Sequence, residues 1–286
     1  MRSPQEINDM LYGPSIGLVP TGVQIPILSF FKMKPKVLVG CPTSDSYDYC
    51  LEEFLDGVNK LSYPNYDLLL VDNSKTDDYF NKLKSKGLNV IKGKYFDDMR
   101  MRIAHNRNII IEKVLEGNYD YLLSVDQDIV LPANVIETLL KFDKDIITGV
   151  YFSYFKHDGS VGLYPLLYVW STKENFLRLK EQNKLPKGAK SADGIKVQLK
   201  EKDVEGSKLM EVKYCGSGCL LIKKDVLKKV KFGLLDEPEE KRTTDDIYFC
   251  DKARENGYKI YAYTGIKCKH LILGRLKKKD LFFVST

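Results

Sequence analysis

From Lys36 onward the chain alternates short apolar runs with amphipathic stretches. Val37-Leu38-Val39-Gly40 is a continuous apolar run halted by Pro42, the pattern of a strand buried on both faces. Leu51, Phe54, Leu55, Val58 and Leu61 then recur at helical spacing and give one apolar face. Leu68–Val71 reads as a second strand closed by Asp72-Asn73-Ser74; a polar helix to about residue 86 leads to a third strand, Leu88–Ile91. Residues 99–115 read as a helix and Tyr121–Val125 as another buried strand. Residues 132–141 read as a helix opened by Pro132, and Asp145–Phe152 as a further strand. Repeated strand–helix–strand units with continuous apolar strands predict an α/β/α sandwich, its mostly parallel sheet covered on both faces.

After residue 152 the rhythm changes. Residues 162–170 are aromatic-rich, and 171–208 is a Lys-rich stretch without clear helical faces. Strands are expected at 209–214 and 218–223, a helix over 245–256, and an alternating strand at 258–263. There is no internal repeat. The reading is one domain over 36–275 in two halves, 36–152 and 153–275, the second holding a smaller antiparallel portion. A Pro- and Gly-rich extension (1–35) and a basic, aromatic tail (276–286) flank it.

Composition narrows the class. Hydrophobic residues are 43% and charged residues 29%, ordinary for a soluble globular protein. The balance of 45 Lys+Arg against 39 Asp+Glu gives +6, which suits phosphorylated ligands or an anionic membrane surface. Basic and acidic residues interleave along most of the chain, which argues against nucleic acid as a partner. Six cysteines without a C-x-x-C pair exclude a zinc ribbon and read as reduced thiols of a cytoplasmic protein. The first residues lack a signal-peptide layout and no stretch reaches the length of a spanning helix. The expectation is a soluble chain, with membrane contact limited to peripheral attachment at a cytoplasmic face.

Candidate chemistry gathers where the strands end, since ligands of open α/β sheets bind beyond the strands' carboxyl ends. Pro42-Thr43 follows the first strand, Asp72 the second, and Asp126-Gln127-Asp128 a later one. On an extended backbone Asp126 and Asp128 share a face, so both can reach one hard cation. Taken alone, D-x-D is ambiguous; its place directly after an apolar strand makes it a candidate cation site.

The ordered set Val71-Asp72-Asn73-Ser74, Ala104-His105-Asn106-Arg107-Asn108 and Val125-Asp126-Gln127-Asp128 resembles the nucleotide-binding half of GT-A-fold glycosyltransferases, especially family 2. Thr244-Asp245-Asp246-Ile247, followed by Ala253-Arg254-Glu255-Asn256-Gly257-Tyr258, is similar to that family's acidic pair at a helix start, with Asp245 standing where Glu is usual. The resemblance covers residues 36–271, apart from much of 171–208. It implies a metal-dependent enzyme that moves a sugar from a UDP- or GDP-linked donor to a hydroxyl of a glycan, lipid-linked or protein acceptor.

Under this resemblance Pro42, Thr43, Asp72, Arg107, Asp126 and Gln127 contact the nucleotide, and Gly216-Ser217-Gly218 lets donor and acceptor approach the backbone. Asp128 and His270, with Asp126, hold Mn²⁺ or Mg²⁺. Asp246 is the general base of an inverting displacement and Asp245 positions the acceptor. Arg275 and the lysines after it stand ready for the leaving diphosphate or for anionic lipid. Without the resemblance, Arg107 reads equally as a solvent-facing helical residue, and Thr244-Asp245-Asp246 as an N-cap. Inversion does not follow from the fold, because retaining enzymes share it.

Three other readings compete. A haloacid-dehalogenase-type phosphohydrolase using Asp126 and Asp128 would carry D-x-D on its first strand, not after three earlier ones. A sugar nucleotidylyltransferase needs a Gly-rich, Arg-containing loop after the first strand, and Gly40-Cys41-Pro42-Thr43-Ser44 is not one. A non-catalytic nucleotide-sugar-binding protein would bind without turnover.

Overall fold

The computed structural model describes residues 34–271 apart from 158, 186–187, 193 and 235–242. The chain divides after Lys34 into two compact units, and every helix and strand named below belongs to the second. The extension before Lys34, Arg275 and the basic tail lie outside the described residues.

The first half runs β1 (Val37–Thr43), α1 (Leu51–Asn59), β2 (Tyr66–Asp72), α2 (Asp78–Ser85), β3 (Val90–Lys92), α3 (Met99–Glu116), β4 (Tyr121–Val125), β5 (Ile129–Val130), α4 (Val135–Leu140) and β6 (Ile146–Val150). The second half runs β7 (Phe152–His157), β8 (Ser160–Pro165), β9 (Leu167–Trp170), α5 (Lys173–Glu181), β10 (Lys196–Gln198), β11 (Leu209–Val212), β12 (Tyr214–Cys215), β13 (Cys219–Lys223), α6 (Lys224–Leu227), α7 (Asp245–Glu255), β14 (Ile260–Lys267) and β15 (Lys269–His270).

Eight strands form one sheet in the order β11-β14-β6-β13-β4-β1-β2-β3. β1 is parallel to β2 and β4, β2 to β3, and β14 to β6; β13 is antiparallel to both β4 and β6. A small antiparallel sheet, β10-β9-β12, and the β7–β8 hairpin build the second half's periphery. This is the expected mostly parallel sandwich with a smaller antiparallel portion.

Successive residues of the central strands feed opposite faces. Leu38, Leu122, Ile146 and Ile222 pack with Ile110, Ile111 and Val114 of α3 and Phe249 and Ala253 of α7. Val39, Leu123, Ile147 and Leu221 pack with Phe54 and Val58 of α1 and Ile136 and Leu139 of α4. Each large side chain so buried contributes on the order of 2 kcal/mol, which fixes both helix layers against the strand ends.

Several boundaries differ from the sequence reading. α4 begins at Val135 because Pro132 forms a turn whose carbonyl accepts the Val135 N–H at 3.1 Å. The expected strand 209–214 breaks at Lys213: β11 pairs with β14 in the large sheet, β12 with β9 in the small one. β14 starts at Ile260 because Gly257, at φ +82°, ends α7 and the Tyr258 N–H returns to the Ala253 carbonyl. The stretch 171–208 holds α5, capped by Thr172, whose hydroxyl accepts the Asn175 N–H at 3.1 Å. None of its residues is buried, so no apolar face signals it.

Candidate active site

β2 and β3 lie on one side of β1 and β4 on the other, so the strand order reverses between β1 and β4, where crevices of open sheets form. A cleft opens there. It is lined by Pro42 and Thr43 at the end of β1, by Asp126, Gln127 and Asp128 after β4, by Arg107, Ser217, Asp245, Asp246 and His270, and by residues not singled out from the sequence.

The D-x-D segment is not extended. It turns, with the Ile129 N–H donating to the Asp126 carbonyl at 3.0 Å, and the turn sends its two carboxylates to different partners. Asp126 pairs with Arg107 at 2.5 Å, whereas Asp128 lies 3.2 Å from His270 Nε2. The shared face expected of an extended backbone is therefore absent. Gln127 is 1% exposed; it accepts the Thr43 hydroxyl and donates to the Tyr47 carbonyl at 2.8 Å. Its amide ties the loops after β1 and β4 together.

Arg107 is 3% exposed in the middle of α3. Its Nη2 reaches Asp126, its Nε donates to Asp245 at 2.9 Å, and its Nη1 to the Ser124 hydroxyl at 2.6 Å. Burial works against its charge, but Asp126 and Asp245 outweigh that and hold the guanidinium more basic than usual. One side chain thus links the D-x-D turn to the start of α7. A solvent-facing role does not fit this geometry, although the side chain also lines the cleft.

At the start of α7, burial pushes Asp245 up to about 6; Arg107 opposes the shift and the charges of Asp246 and Asp126 add to it. Asp246 is half-buried and faces the cleft. It accepts the Thr244 hydroxyl and the Ile247 N–H (2.7 Å), both on Oδ1. Burial raises its carboxyl too, against the pull of those two hydrogen bonds.

His270 Nδ1 lies 2.7 Å from the Phe152 carbonyl. A carbonyl only accepts, so Nδ1 carries a proton, and Nε2 faces the Asp128 carboxylate. Two acceptors at 3.2 Å require a proton or a cation between them. Burial lowers the His270 pKa, but the hydrogen bond and charge of Asp128 raise it more, and the net shift is upward. Cis ligands of an octahedral Mg²⁺, each about 2.1 Å from the metal, stand about 3 Å apart, so the pair fits a hard divalent ion. No group of three or more His, Cys, Asp or Glu side chains is arranged for a metal among the described residues. Among the described residues, protein ligands beyond this pair are not preassembled.

Gly216-Ser217-Gly218 lies against Tyr151, whose hydroxyl accepts the Gly218 N–H at 3.0 Å. A Cβ at Gly216 would overlap that hydroxyl. Ser217 is 2% exposed, lines the cleft, and its hydroxyl has no hydrogen-bond partner among the described residues. Asp72, beside the cleft-lining Thr43 and Asn73, is itself fully buried and not part of the lining; it pairs with Lys92 at 2.8 Å and accepts the Ser74 hydroxyl at 2.5 Å.

The sequence reading passed over Arg102, Tyr151, Ser44, Ser46, Tyr47 and Asn73, all of which line the cleft. Arg102 stacks over Tyr95 with its guanidinium 4.7 Å from the ring centre, and its buried Nε has no hydrogen-bond partner among the described residues. The signal for Tyr151 was available, since it ends the run through β6 at the sheet edge that carries D-x-D. For Arg102 there was none, in a helix whose first turns read Met-Arg-Met-Arg. All six cysteines are free and buried, and no helix among the described residues is long and apolar enough to cross a membrane.

The family described as Anp1 matches residues 94–232, slightly under half of the chain, from the start of α3 past β13. No curated protein matches. Among solved structures, S. aureus TarS is similar at 17% identity and a TM-score of 0.46, over 82% of this chain and 36% of that one. The mannosyltransferase PcManGT from Pyrobaculum calidifontis, in complex with GDP-Man and Mn²⁺, is similar at 14% identity and a TM-score of 0.49, over 85% and 59%. TarS 1–349 in complex with UDP-GlcNAc gives 15%, 0.46, 86% and 63%. The chain thus spans less than two thirds of each of these structures.

Proposed function

We propose that this chain, an α/β sandwich with the strand order and motif placement of the GT-A fold, is a glycosyltransferase that moves a sugar from a nucleoside-diphosphate donor to an acceptor hydroxyl. The carrying observation is convergence: the D-x-D turn, the acidic start of α7, the Ser217 turn and His270 meet in one cleft at the switch point of the sheet. The Anp1 match, which spans the D-x-D turn and the Ser217 turn, is in keeping with it.

On this reading Asp128 and His270 would hold Mn²⁺ or Mg²⁺. When bound, that metal neutralises charge on the departing diphosphate. Pro42, Thr43 and Asn73 form the base side of the cleft. Arg102 is the cation toward the phosphates, a role that leaves Arg107 to its three protein partners. Ser217 offers its hydroxyl to the sugar.

Asp246 is the general base. Its Oδ1 is held by Thr244 and the Ile247 N–H, so Oδ2 is the atom that takes the acceptor's proton as the new glycosidic bond forms. Attack from that side, opposite the leaving diphosphate, gives inversion. Arg107 keeps Asp245 and the D-x-D turn in register with each other.

The test incubates the protein with UDP- and GDP-sugars and Mn²⁺ and monitors release of nucleoside diphosphate and the anomeric form of the product. Metal-dependent release with inversion, reduced about 10²-fold or more by Asp246→Asn, is the expected outcome. Undiminished release by that variant removes Asp246 as base, and release of inorganic phosphate instead would return the phosphohydrolase.

A further inference from the structure

A second cleft, of about 540 Å³, lies outside the reaction site, bounded by the β7–β8 hairpin, α5 and the segment through β10. We propose that it binds an acidic saccharide, a sugar carrying carboxylate, sulfate or phosphate, as a distal unit of an extended acceptor; this rests on the glycosyltransferase reading.

Its size is that of a ligand site. Arg178, Lys184, Lys196 and Lys200 line it, and no carboxylate does among the described residues. Arg178 is held by the Asn175 amide oxygen at 2.5 Å and Lys196 sits over the Tyr214 ring at 4.9 Å, so neither charge is neutralised by these contacts. A neutral acceptor gives no reason to gather cations in one concavity, whereas an anionic one does.

The remaining lining suits a sugar. Tyr164 and His157 meet edge to face, their ring centres 4.6 Å apart, and His157 Nε2 lies 2.8 Å from Gln198 Oε1. Ring faces beside amide groups bind the apolar face and hydroxyls of a pyranose. The two clefts also share a wall. Tyr164 faces the second and Leu166 the first, and the intervening Pro165 carbonyl accepts the Gln198 amide at 3.2 Å. The two clefts are thus lined by residues only two apart in the chain, which suits one extended saccharide reaching from one to the other.

The test titrates the full chain with tetragalacturonate, a sulfated heparin tetrasaccharide, neutral maltotetraose and phosphatidylglycerol vesicles, and separately with UDP and GDP. The same titrations use the triple variant Arg178→Gln, Lys196→Gln, Lys200→Gln, whose exposed positions leave the core untouched. At least one acidic tetrasaccharide should bind about tenfold or more tighter than the neutral one. That preference should weaken with added salt and vanish in the triple variant, with nucleotide affinity unchanged. Equal binding of acidic and neutral saccharides, or a preference kept by the variant, overturns the inference. Vesicles bound in place of the saccharides overturn it in favour of a membrane surface. Acidic-saccharide preference without binding of UDP or GDP would sink the transferase reading and leave the cleft; nucleotide binding without that preference would do the reverse.

Discussion

Arg107 shows how much one side chain can organise. It is buried with two carboxylates from distant parts of the chain, and removing one partner of such a group strands the others in a poor solvent for charge. Arg107→Ala should cost about 3–5 kcal/mol in urea unfolding, or prevent soluble expression. Loss well under 1 kcal/mol would mean the pairs are solvated. Asp245 and Asp246 make a second, chemical prediction. A base must be deprotonated, and both carboxyls are raised, Asp245 to about 6. The acid limb of kcat/KM should therefore lie above the ordinary carboxylate range near about 4, with rate rising as pH increases through it. An acid limb at or below about 4, the ordinary carboxylate value, would contradict that assignment.

At the scale of elements, the turn 216–218 joins the small sheet to β13 and is fitted to Tyr151 at the end of β6. Gly216→Ala should push the Tyr151 ring aside and destabilise the protein by about 1–3 kcal/mol, measured as a shift in the urea midpoint; an unchanged midpoint would show the turn to be slack. The central strands were legible because each is a continuous apolar run, and α1, α3 and α7 because their motifs or apolar faces mark them. α5 was not, since it buries nothing. The break at Lys213 was not either, because strand composition does not say which sheet a strand joins.

At the scale of the molecule, sequence order revealed which residues belong together: Thr43, D-x-D, Asp246 and His270 are brought to one cleft by strands and a helix that are far apart in the chain. Who touches whom inside the cleft was hidden. The turn that parts Asp126 from Asp128, the commitment of Arg107, and the sealing of Asp72 behind Lys92 all depend on tertiary partners. The most direct measurement is calorimetric titration with UDP and GDP, with and without Mn²⁺, on the native chain and on Asp128→Asn and His270→Ala. One nucleotide should bind, Mn²⁺ should tighten it about tenfold or more, and both variants should lose that gain. Failure of both nucleotides to bind, or a Mn²⁺ gain kept by both variants, would contradict a nucleotide-sugar transferase with its metal on Asp128 and His270.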